Sequence, residues 1–296
     1  MISFAILKRP LWIVVIVLTG IAWVIYSGAS NQYLTGNVNH IKFSSDYLGD
    51  SRRVWIYLPP DYGNTDDHYP VLYMHDGQNV FDGNTSTHQG IEWRVDETLE
   101  EVISSGEIPG LIVIAIESND KRHDEYLPER VQLMGVMEGG DSHLYASMLI
   151  EELIPLINSL YRTKTGPKNT FIGGSSYGGI LSFYLTIQHA DVFGTGLIFS
   201  PSLQWNSEWM TKQVMNLHWK TEAHFWVSMG GQDDGEPGAF YRFRRALESK
   251  GWQSPYEIGG LLDGRGNHSE ASWARSFPLA MNWLFNEAVF TDFNEH

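Results

Sequence analysis

The sequence contains no cysteine among its 296 residues. This absence excludes disulfide bonds, thiol catalysis and cysteine-ligated zinc, and also a lipoprotein anchor, which needs a cysteine at its cleavage site. Positive charge is also scarce: 20 Lys and Arg residues face 35 Asp and Glu residues, for a formal net charge of −15. Because an acidic surface repels phosphate backbones, the composition argues against a nucleic-acid partner.

One long uncharged apolar run is present, and it lies near the N-terminus. Residues 11–26 contain no charged side chain; Lys8 and Arg9 precede them and the small residues 27–30 follow. The run is longer than most signal-peptide cores and slightly shorter than the ~20 residues that span a bilayer. It predicts either a cleaved signal peptide or a membrane anchor over residues 1–30. Because the basic pair stays cytoplasmic, we expect export to the periplasm or cell exterior, either released or held at the inner membrane.

Residues 31–296 contain no repeat, no low-complexity tract and no second linker, so they predict a single domain. Short β-rich runs alternate with helical segments, which is typical of an α/β fold with a mostly parallel sheet covered by helices on both faces. The segments VNHIKFSS and RRVWIYLPP alternate with a two-residue period and predict antiparallel edge strands. Buried strands are predicted at PVLYMHD, GLIVIAIES, NTFIGGS, GTGLIFSPS, AHFWVSMGG and YEIGGLL. Helices are predicted at about 93–105, 143–160, 177–189, 207–218, 238–250 and 270–288. In such sheets ligands bind beyond the carboxyl ends of the strands.

The segment FIGGSSYGGI contains two adjacent serines between glycines. Its core GSSYG, residues 174–178, fits the G-x-S-x-G nucleophile elbow with Ser176 at the centre, between a predicted strand and a predicted helix. The turn is so tight that its central residue takes a positive φ and its flanks must be glycines. Centred on Ser175, the pattern would have a tyrosine in place of the second glycine. Ser176 is therefore the predicted nucleophile, and the Tyr177 N–H a predicted oxyanion donor.

A serine hydroxyl needs a base, and in α/β hydrolases an acid and then a histidine follow the serine along the chain. His268 lies in a glycine-rich loop, DGRGNHSEASW, whereas the other histidines after Ser176 lie in predicted helices, a strand or the terminus. We therefore predict His268 as the base. The acid holds the imidazole in the correct tautomer. After the strand AHFWVSM, the segment GGQDDGEPG offers Asp233, Asp234 and Glu236; we choose Asp233, the first, and keep the other two as alternatives.

The loop after PVLYM reads HDGQN and is predicted to supply the second oxyanion donor. Gly77 permits a turn that aims the N–H of Gln78 inward. His75 and Asp76 are adjacent side chains at a strand end and make a poor coordination set, and no other segment has ligand spacing. We therefore predict no metal and no cofactor.

Two tryptophans are candidates for substrate contact. Trp93 opens a predicted helix after the oxyanion loop, and Trp205 follows SPSLQ at another strand end. There an indole could stack on a sugar or an aromatic acid. The alternative, in a chain with 11 tryptophans, is that both fill the seam between helices and sheet.

Six segments together resemble the "Putative esterase" family of α/β hydrolases, and the likeness runs from about residue 52 to residue 285. They are YPVLYMHDGQNVFD, NDKRHDEYLP, LIEELIPLINSLYRT, FIGGSSYGGILSFYL, VFGTGLIFSPSLQW and NHSEASWARSFPLAMNWLF. Esterase D, enterobactin and bacillibactin esterases, feruloyl esterases and mycolyltransferases look like relatives.

The resemblance implies an α/β-hydrolase fold and supports the same catalytic residues. It implies Ser176 as nucleophile and His268 as base, and the Gly-x-x-acid pattern of GGQD favours Asp233. It also implies that the DGQN loop builds the oxyanion hole. Further residues at the rim of the site would be Arg122, Glu125 and Tyr126. Tyr177 departs from the family pattern, because many members carry methionine or leucine there.

We therefore expect a serine esterase that hydrolyses a carboxylic ester through an acyl-enzyme. The expected partner is a small-molecule or glycan ester, such as a siderophore, feruloyl or acetyl-sugar ester. Two alternatives stay open. One is an acyltransferase of the mycolyltransferase type, with a sugar hydroxyl in place of water; the other is a non-catalytic carbohydrate-binding or surface module.

Overall fold

The computed structural model describes residues 33–88, 90–133, 135–233 and 237–286. The predicted signal peptide or anchor at residues 1–30 lies outside them, so its nature stays a prediction. Within the described ranges, no helix has the length and apolar character needed to cross a membrane.

The described strands form one nine-stranded sheet in the order β1-β2-β4-β3-β7-β8-β9-β10, with β11 also paired to β9, and a separate hairpin of β5 and β6. The strands of the large sheet are β1 (Asn37–Ser45), β2 (Asp50–Leu58), β3 (Val71–His75), β4 (Ile112–Ile116), β7 (Thr170–Ser175), β8 (Thr195–Phe199), β9 (His224–Gly230), β10 (Ile258–Gly259) and β11 (Leu262–Asp263). The hairpin strands are β5 (Val131–Leu133) and β6 (Val136–Glu138). The strands from β4 onward along this order pair in parallel, whereas β1–β2 and β2–β4 pair antiparallel. The predicted α/β fold and antiparallel edge pair are therefore confirmed.

The helices cover both faces of the sheet, which explains why β3, β4 and β8 are buried at every position. The helices are α1 (Val95–Ser104), α2 (Arg122–Tyr126), α3 (Ser142–Ser147), α4 (Ile154–Leu160), α5 (Tyr177–Gln188), α6 (Trp205–Asn216), α7 (Pro237–Ser249) and α8 (Glu270–Phe285). One face packs against α1 and α8. The opposite face packs against α3 to α5 at one end and against α5 to α7 at the other.

Three local features differ from the predictions. The helix expected at 143–160 is interrupted by a π-helical segment (Met148–Leu153) just before Pro155, which has no N–H to donate to an α-helical bond. The last predicted strand is split into β10 and β11 at Gly260, whose φ is +105°. A Cβ there would lie 1.9 Å from the Val227 carbonyl oxygen. The short helix α2 and the β5–β6 hairpin were not predicted, because their segments carry no apolar periodicity.

Candidate active site

The turn around Ser176 has the geometry predicted for a nucleophile elbow. Strand β7 ends at Ser175, α5 begins at Tyr177, and Ser176 between them has φ +56° and ψ −123°. A backbone bond of 3.1 Å from the Ser176 N–H to the Phe199 carbonyl fixes the turn to β8. Such a conformation costs roughly 1–3 kcal/mol for a residue with a side chain, so the surrounding fold must hold it in place.

The glycines beside the elbow are required by close packing. A Cβ on Gly174 would lie 3.0 Å from the His75 ring and 3.1 Å from the backbone of Gly178. The prediction of a sharp turn with glycine flanks is confirmed. Ser176 itself is half-buried and lines a cavity.

The loop after β3 is held rigidly beside the elbow. Asp76 has φ +55° and leads into a 3₁₀ turn over Gly77–Asn79. The Gln78 side chain donates to the Ser118 hydroxyl at 2.9 Å and accepts the Ser118 N–H at 3.1 Å, which joins this loop to the segment after β4. Among the described residues, no acceptor is found for the backbone N–H of Gln78 or of Tyr177. Two backbone donors next to the elbow are thus left for another group.

Arg122 fixes the oxyanion loop from the α2 side. Its Nε and Nη2 donate to the two oxygens of Asp76 at 2.7 and 2.8 Å, and its guanidinium lies over the rings of Tyr126 and Tyr177. The Asp76 N–H donates to the Tyr126 hydroxyl at 3.1 Å. Burial acts to raise the pKa of Asp76, but the charge and hydrogen bonds of Arg122 outweigh it and hold the pKa below its ordinary value.

Of the rim residues that the resemblance implies, Arg122 lines the cavity. Tyr126 is buried behind it, and Glu125 is buried against Arg52, whose Nη1 lies 2.9 Å from a Glu125 oxygen. Tyr126 therefore supports the loop from within the core, and neither Tyr126 nor Glu125 lies at the rim.

His268 and Asp233, the predicted base and acid, lie in direct contact. The Nδ1 of His268 lies 3.0 Å from Oδ1 of Asp233, and the other carboxylate oxygen accepts the Gly230 N–H at 3.1 Å. Burial acts to raise the pKa of Asp233, whereas hydrogen bonds from His268 and Ser200 lower it, and the result lies below the ordinary value. With Nδ1 engaged by an ionised carboxylate, Nε2 of His268 is left as the proton acceptor. The alternative acids Asp234 and Glu236 lie outside the described residues.

Ser176 and His268 line the same cavity, of about 530 Å³, at the carboxyl edge of the sheet. Gln78 and Arg122 line it as well. The hydrogen bonds of the described residues include none between the Ser176 hydroxyl and the His268 ring. Catalytic hydrogen bonds are often long in the absence of substrate and shorten in the reacting complex.

The two tryptophans lie in the core rather than in the cavity, which corrects the prediction that they contact substrate. Trp93 is 3% exposed and packs between Phe199, at 4.9 Å, and Trp273, at 5.5 Å. Trp205 is 6% exposed and packs on Trp209 at 5.7 Å. Neither side chain lines the cavity. The alternative, that both indoles fill the seam between helices and sheet, describes them correctly.

A buried carboxylate in the cavity was missed by the sequence reasoning. Glu270, the first residue of α8, is 2% exposed and accepts a bond from the Asn79 side chain at 3.2 Å. Nε2 of His88 lies 3.1 Å from the same oxygen, and burial raises the pKa of Glu270. Glu270 therefore links the loop that carries His268 to the loop that follows β3. In the sequence it looks like an ordinary helix N-terminal glutamate, so only the fold reveals this contact.

The pair His75 and Asp76 does not form a coordination set. Burial lowers the pKa of His75 to about 3, its ring packs between Tyr126 and Tyr145, and both Asp76 oxygens are bound by Arg122. Glu92, Asp96 and Glu97, outside this cavity, form a group of carboxylates that could hold a cation.

The parallel sheet with its antiparallel edge strands and its helices on both faces matches the α/β-hydrolase fold. Residues 45–283 match the family described as "Putative esterase", and because the match covers most of the chain, the chain belongs to this family. Family and fold support carboxylic ester hydrolysis as the reaction class.

Individual relatives are distant. The uncharacterized protein YbbA of Bacillus subtilis (strain 168) is 24% identical over 254 residues, covering 82% of this chain and 96% of that protein. The endo-1,4-beta-xylanase/feruloyl esterase of Xylanibacter ruminicola is 23% identical over 256 residues, covering 84% of this chain and 31% of that protein. The solved structure of the enterobactin esterase of Shigella flexneri has a TM-score of 0.64 and 18% identity, covering 85% of this chain and 60% of that one. At this level of sequence identity, the structural similarity is evidence for the fold alone.

Proposed function

We propose that the protein is a serine esterase that hydrolyses carboxylic esters through an acyl-enzyme. Ser176 is the nucleophile, His268 the general base, and Asp233 the acid that orients the imidazole. One observation carries the proposal: a serine at a positive-φ elbow faces the same cavity as a histidine whose Nδ1 is bound by a buried carboxylate.

In the first half of the reaction, Ser176 Oγ attacks the ester carbonyl while Nε2 of His268 takes the hydroxyl proton. The N–H groups of Gln78 and Tyr177 donate to the oxyanion that develops. When the tetrahedral intermediate collapses, the ester C–O bond breaks, and protonated His268 gives its proton to the departing alcohol. In the second half, His268 removes a proton from water, the resulting nucleophile attacks the acyl carbonyl, and Ser176 recovers its proton as the acid leaves.

The substrate is a small-molecule or glycan ester with polar groups near the scissile bond. The names of relatives, a feruloyl esterase and an enterobactin esterase, support feruloyl or siderophore esters, and acetylated sugars suit the same cavity. Ser118, Asn119 and Arg122 line it with hydrogen-bonding side chains. We further propose that residues 31–296 form one exported domain, which residues 1–30 direct to or across the inner membrane.

The two neighbouring serines provide a matched test. We expect Ser176→Ala to lower kcat on p-nitrophenyl acetate by at least ~10³-fold, because loss of a serine nucleophile costs up to about 10⁶ in a related site. Ser175→Ala, which removes an adjacent hydroxyl at a buried strand end, should keep most of the activity. If Ser176→Ala retained half the wild-type rate while Ser175→Ala lost it, the assignment would be wrong.

A further inference from the structure

Three carboxylates lie together at the start of α1, outside the active-site cavity. Glu92 precedes the helix by three residues, and Asp96 and Glu97 lie in its first turn. One ligand oxygen from each lies within 4.8 Å of the other two. Like charges at such distances repel strongly, so the arrangement needs a physical explanation.

Hydrogen bonds satisfy these side chains only in part. The Arg94 N–H donates to one Glu92 oxygen. Asp96 is fully buried, and one of its oxygens accepts the Thr35 N–H at 2.7 Å while the other, Oδ1, has no partner. Oε2 of Glu97 is also buried without a hydrogen bond. An ionised oxygen that has left water and gained no donor destabilises the fold. Two such atoms in one cluster indicate a missing ligand.

Positive charge from the protein is too small to balance the cluster. Within the part of the chain that the structure describes, Arg94 is the only Lys or Arg paired with any of the three. Its Nε lies 3.4 Å from Glu97, and its side chain is 65% exposed. The α1 N-terminus favours negative charge in its first turn, but its partial charge of about half an elementary charge is smaller than that of a single carboxylate.

We propose that Glu92, Asp96 and Glu97 bind a divalent cation, Ca²⁺. All three ligands are carboxylate oxygens, which hard cations prefer. Ca²⁺ takes about six to eight oxygen ligands in flexible geometry, which suits three carboxylates completed by water, whereas Mg²⁺ demands a near-ideal octahedron.

The site is also accessible. Glu92 and Glu97 line an open cavity of about 440 Å³ between α1 and α8, with Ala271 and Ala274 on its other side. This space admits a hydrated ion and leaves room for the water ligands that would complete its coordination.

The cation would stabilise the segment that carries the oxyanion loop. The Trp93 N–H donates to the Asn79 carbonyl at 2.9 Å, next to Gln78, and Asp96 holds Thr35. Its binding is independent of the ester chemistry proposed for Ser176. We therefore expect its main effect on thermal stability.

The test uses the full-length protein after treatment with EDTA and dialysis. Titration with CaCl₂ should raise Tm by about 5 °C at saturation, because a ligand that binds only the folded state stabilises it by mass action. TbCl₃, a luminescent calcium substitute, should show emission on excitation of tryptophan, since Trp93 adjoins the site.

Asp96→Asn keeps an acceptor for Thr35 but removes the central charge, and we expect it to lose both the Ca²⁺-dependent rise in Tm and the Tb³⁺ emission. Glu92→Gln provides the same test if the first variant does not fold. Glu101→Gln, which lines the same cavity outside the cluster, should respond like the wild type. An unchanged Tm with CaCl₂, an equal response of Asp96→Asn and wild type, or a response to MgCl₂ alone would each overturn the calcium assignment.

Discussion

At the scale of single residues, the proposed catalysis depends on a few groups that the fold holds in energetically unfavourable states. Ser176 is kept at positive φ, and Asp233 is kept ionised although it is buried. Glu270 is different, because burial raises its pKa. Its ionised form is therefore less stable in the folded protein than in the unfolded chain. When ionised, Glu270 places a negative charge near His268 that would favour the imidazolium proposed to form during acyl transfer.

We expect Glu270→Gln to lower the catalytic activity and to raise the thermal stability. The unfolded carboxyl titrates near 4.3 and the folded one at a higher pH, so the penalty is absent below the unfolded value and complete above the folded pKa. The variant should therefore have a Tm about 2–4 °C above wild type at pH 8 and equal to it at pH 4. Because the imidazolium loses a nearby charge while Asn79 keeps its acceptor, kcat should fall about tenfold, equivalent to about 1.4 kcal/mol.

Thermal unfolding by circular dichroism and ester-hydrolysis kinetics measure the two effects separately. The exposed Glu222→Gln serves as the charge-matched control and should change neither. A Glu270→Gln variant that unfolds at a lower temperature than wild type at pH 8 would show that the carboxylate is needed for stability.

At the scale of elements, the site depends on how loops are fixed to the sheet edge. The oxyanion loop after β3 is joined to α2 by the Asp76–Arg122 pair and to the end of β4 by the contacts of Gln78 and Ser118. Helix α2 is only five residues long, so its contacts rather than its own helical stability hold it in place.

Removing Arg122 should loosen this loop. Arg122→Met leaves the Asp76 carboxylate buried without its partner, which costs roughly 3 kcal/mol and should lower Tm by about 10 °C at pH 7. Because the folded pKa of Asp76 is depressed, the pair stabilises the protein above the unfolded value near 3.9, and this stabilisation is lost as the pH falls through the folded pKa. The Tm difference should therefore persist down to about pH 5 and shrink below pH 4.

Circular dichroism melting curves from pH 3 to pH 8 check this dependence. The exposed Arg130→Met, which removes the same charge from the following loop, should melt within about 2 °C of wild type. A constant Tm difference across this pH range would mean that the loss comes from packing of the long side chain rather than from its charge.

At the scale of the whole molecule, the sequence predicts those features of the fold and the site that depend on local residue patterns. Continuous apolar runs indicated the buried strands, and the steric need for glycine around one residue distinguished Ser176 from Ser175. Position at strand ends indicated His268 and Asp233, which the fold brings to 3.0 Å although 35 residues separate them.

Features that depend on distant packing could not be predicted from local pattern. Trp205 follows a strand end in the sequence and Trp93 opens a predicted helix, but the burial of both is decided by helices that pack over them. The contact of Glu270 with Asn79 spans 191 residues. Glu92 joins Asp96 and Glu97 across the left-handed residue Arg94, whose φ is +57°. A sequence shows which residue types are present, but it does not show that distant residues come together in one site.

The central claim is that Ser176, and no other serine, is activated by an imidazole that lies 92 positions further along the chain. It is tested most directly by reacting the protein with a fluorophosphonate and mapping the adduct by mass spectrometry. We predict one adduct, on Ser176, with labelling abolished in Ser176→Ala and at least ~10³-fold slower in His268→Ala. An adduct on Ser175, or equal labelling of the wild type and His268→Ala, would contradict the account.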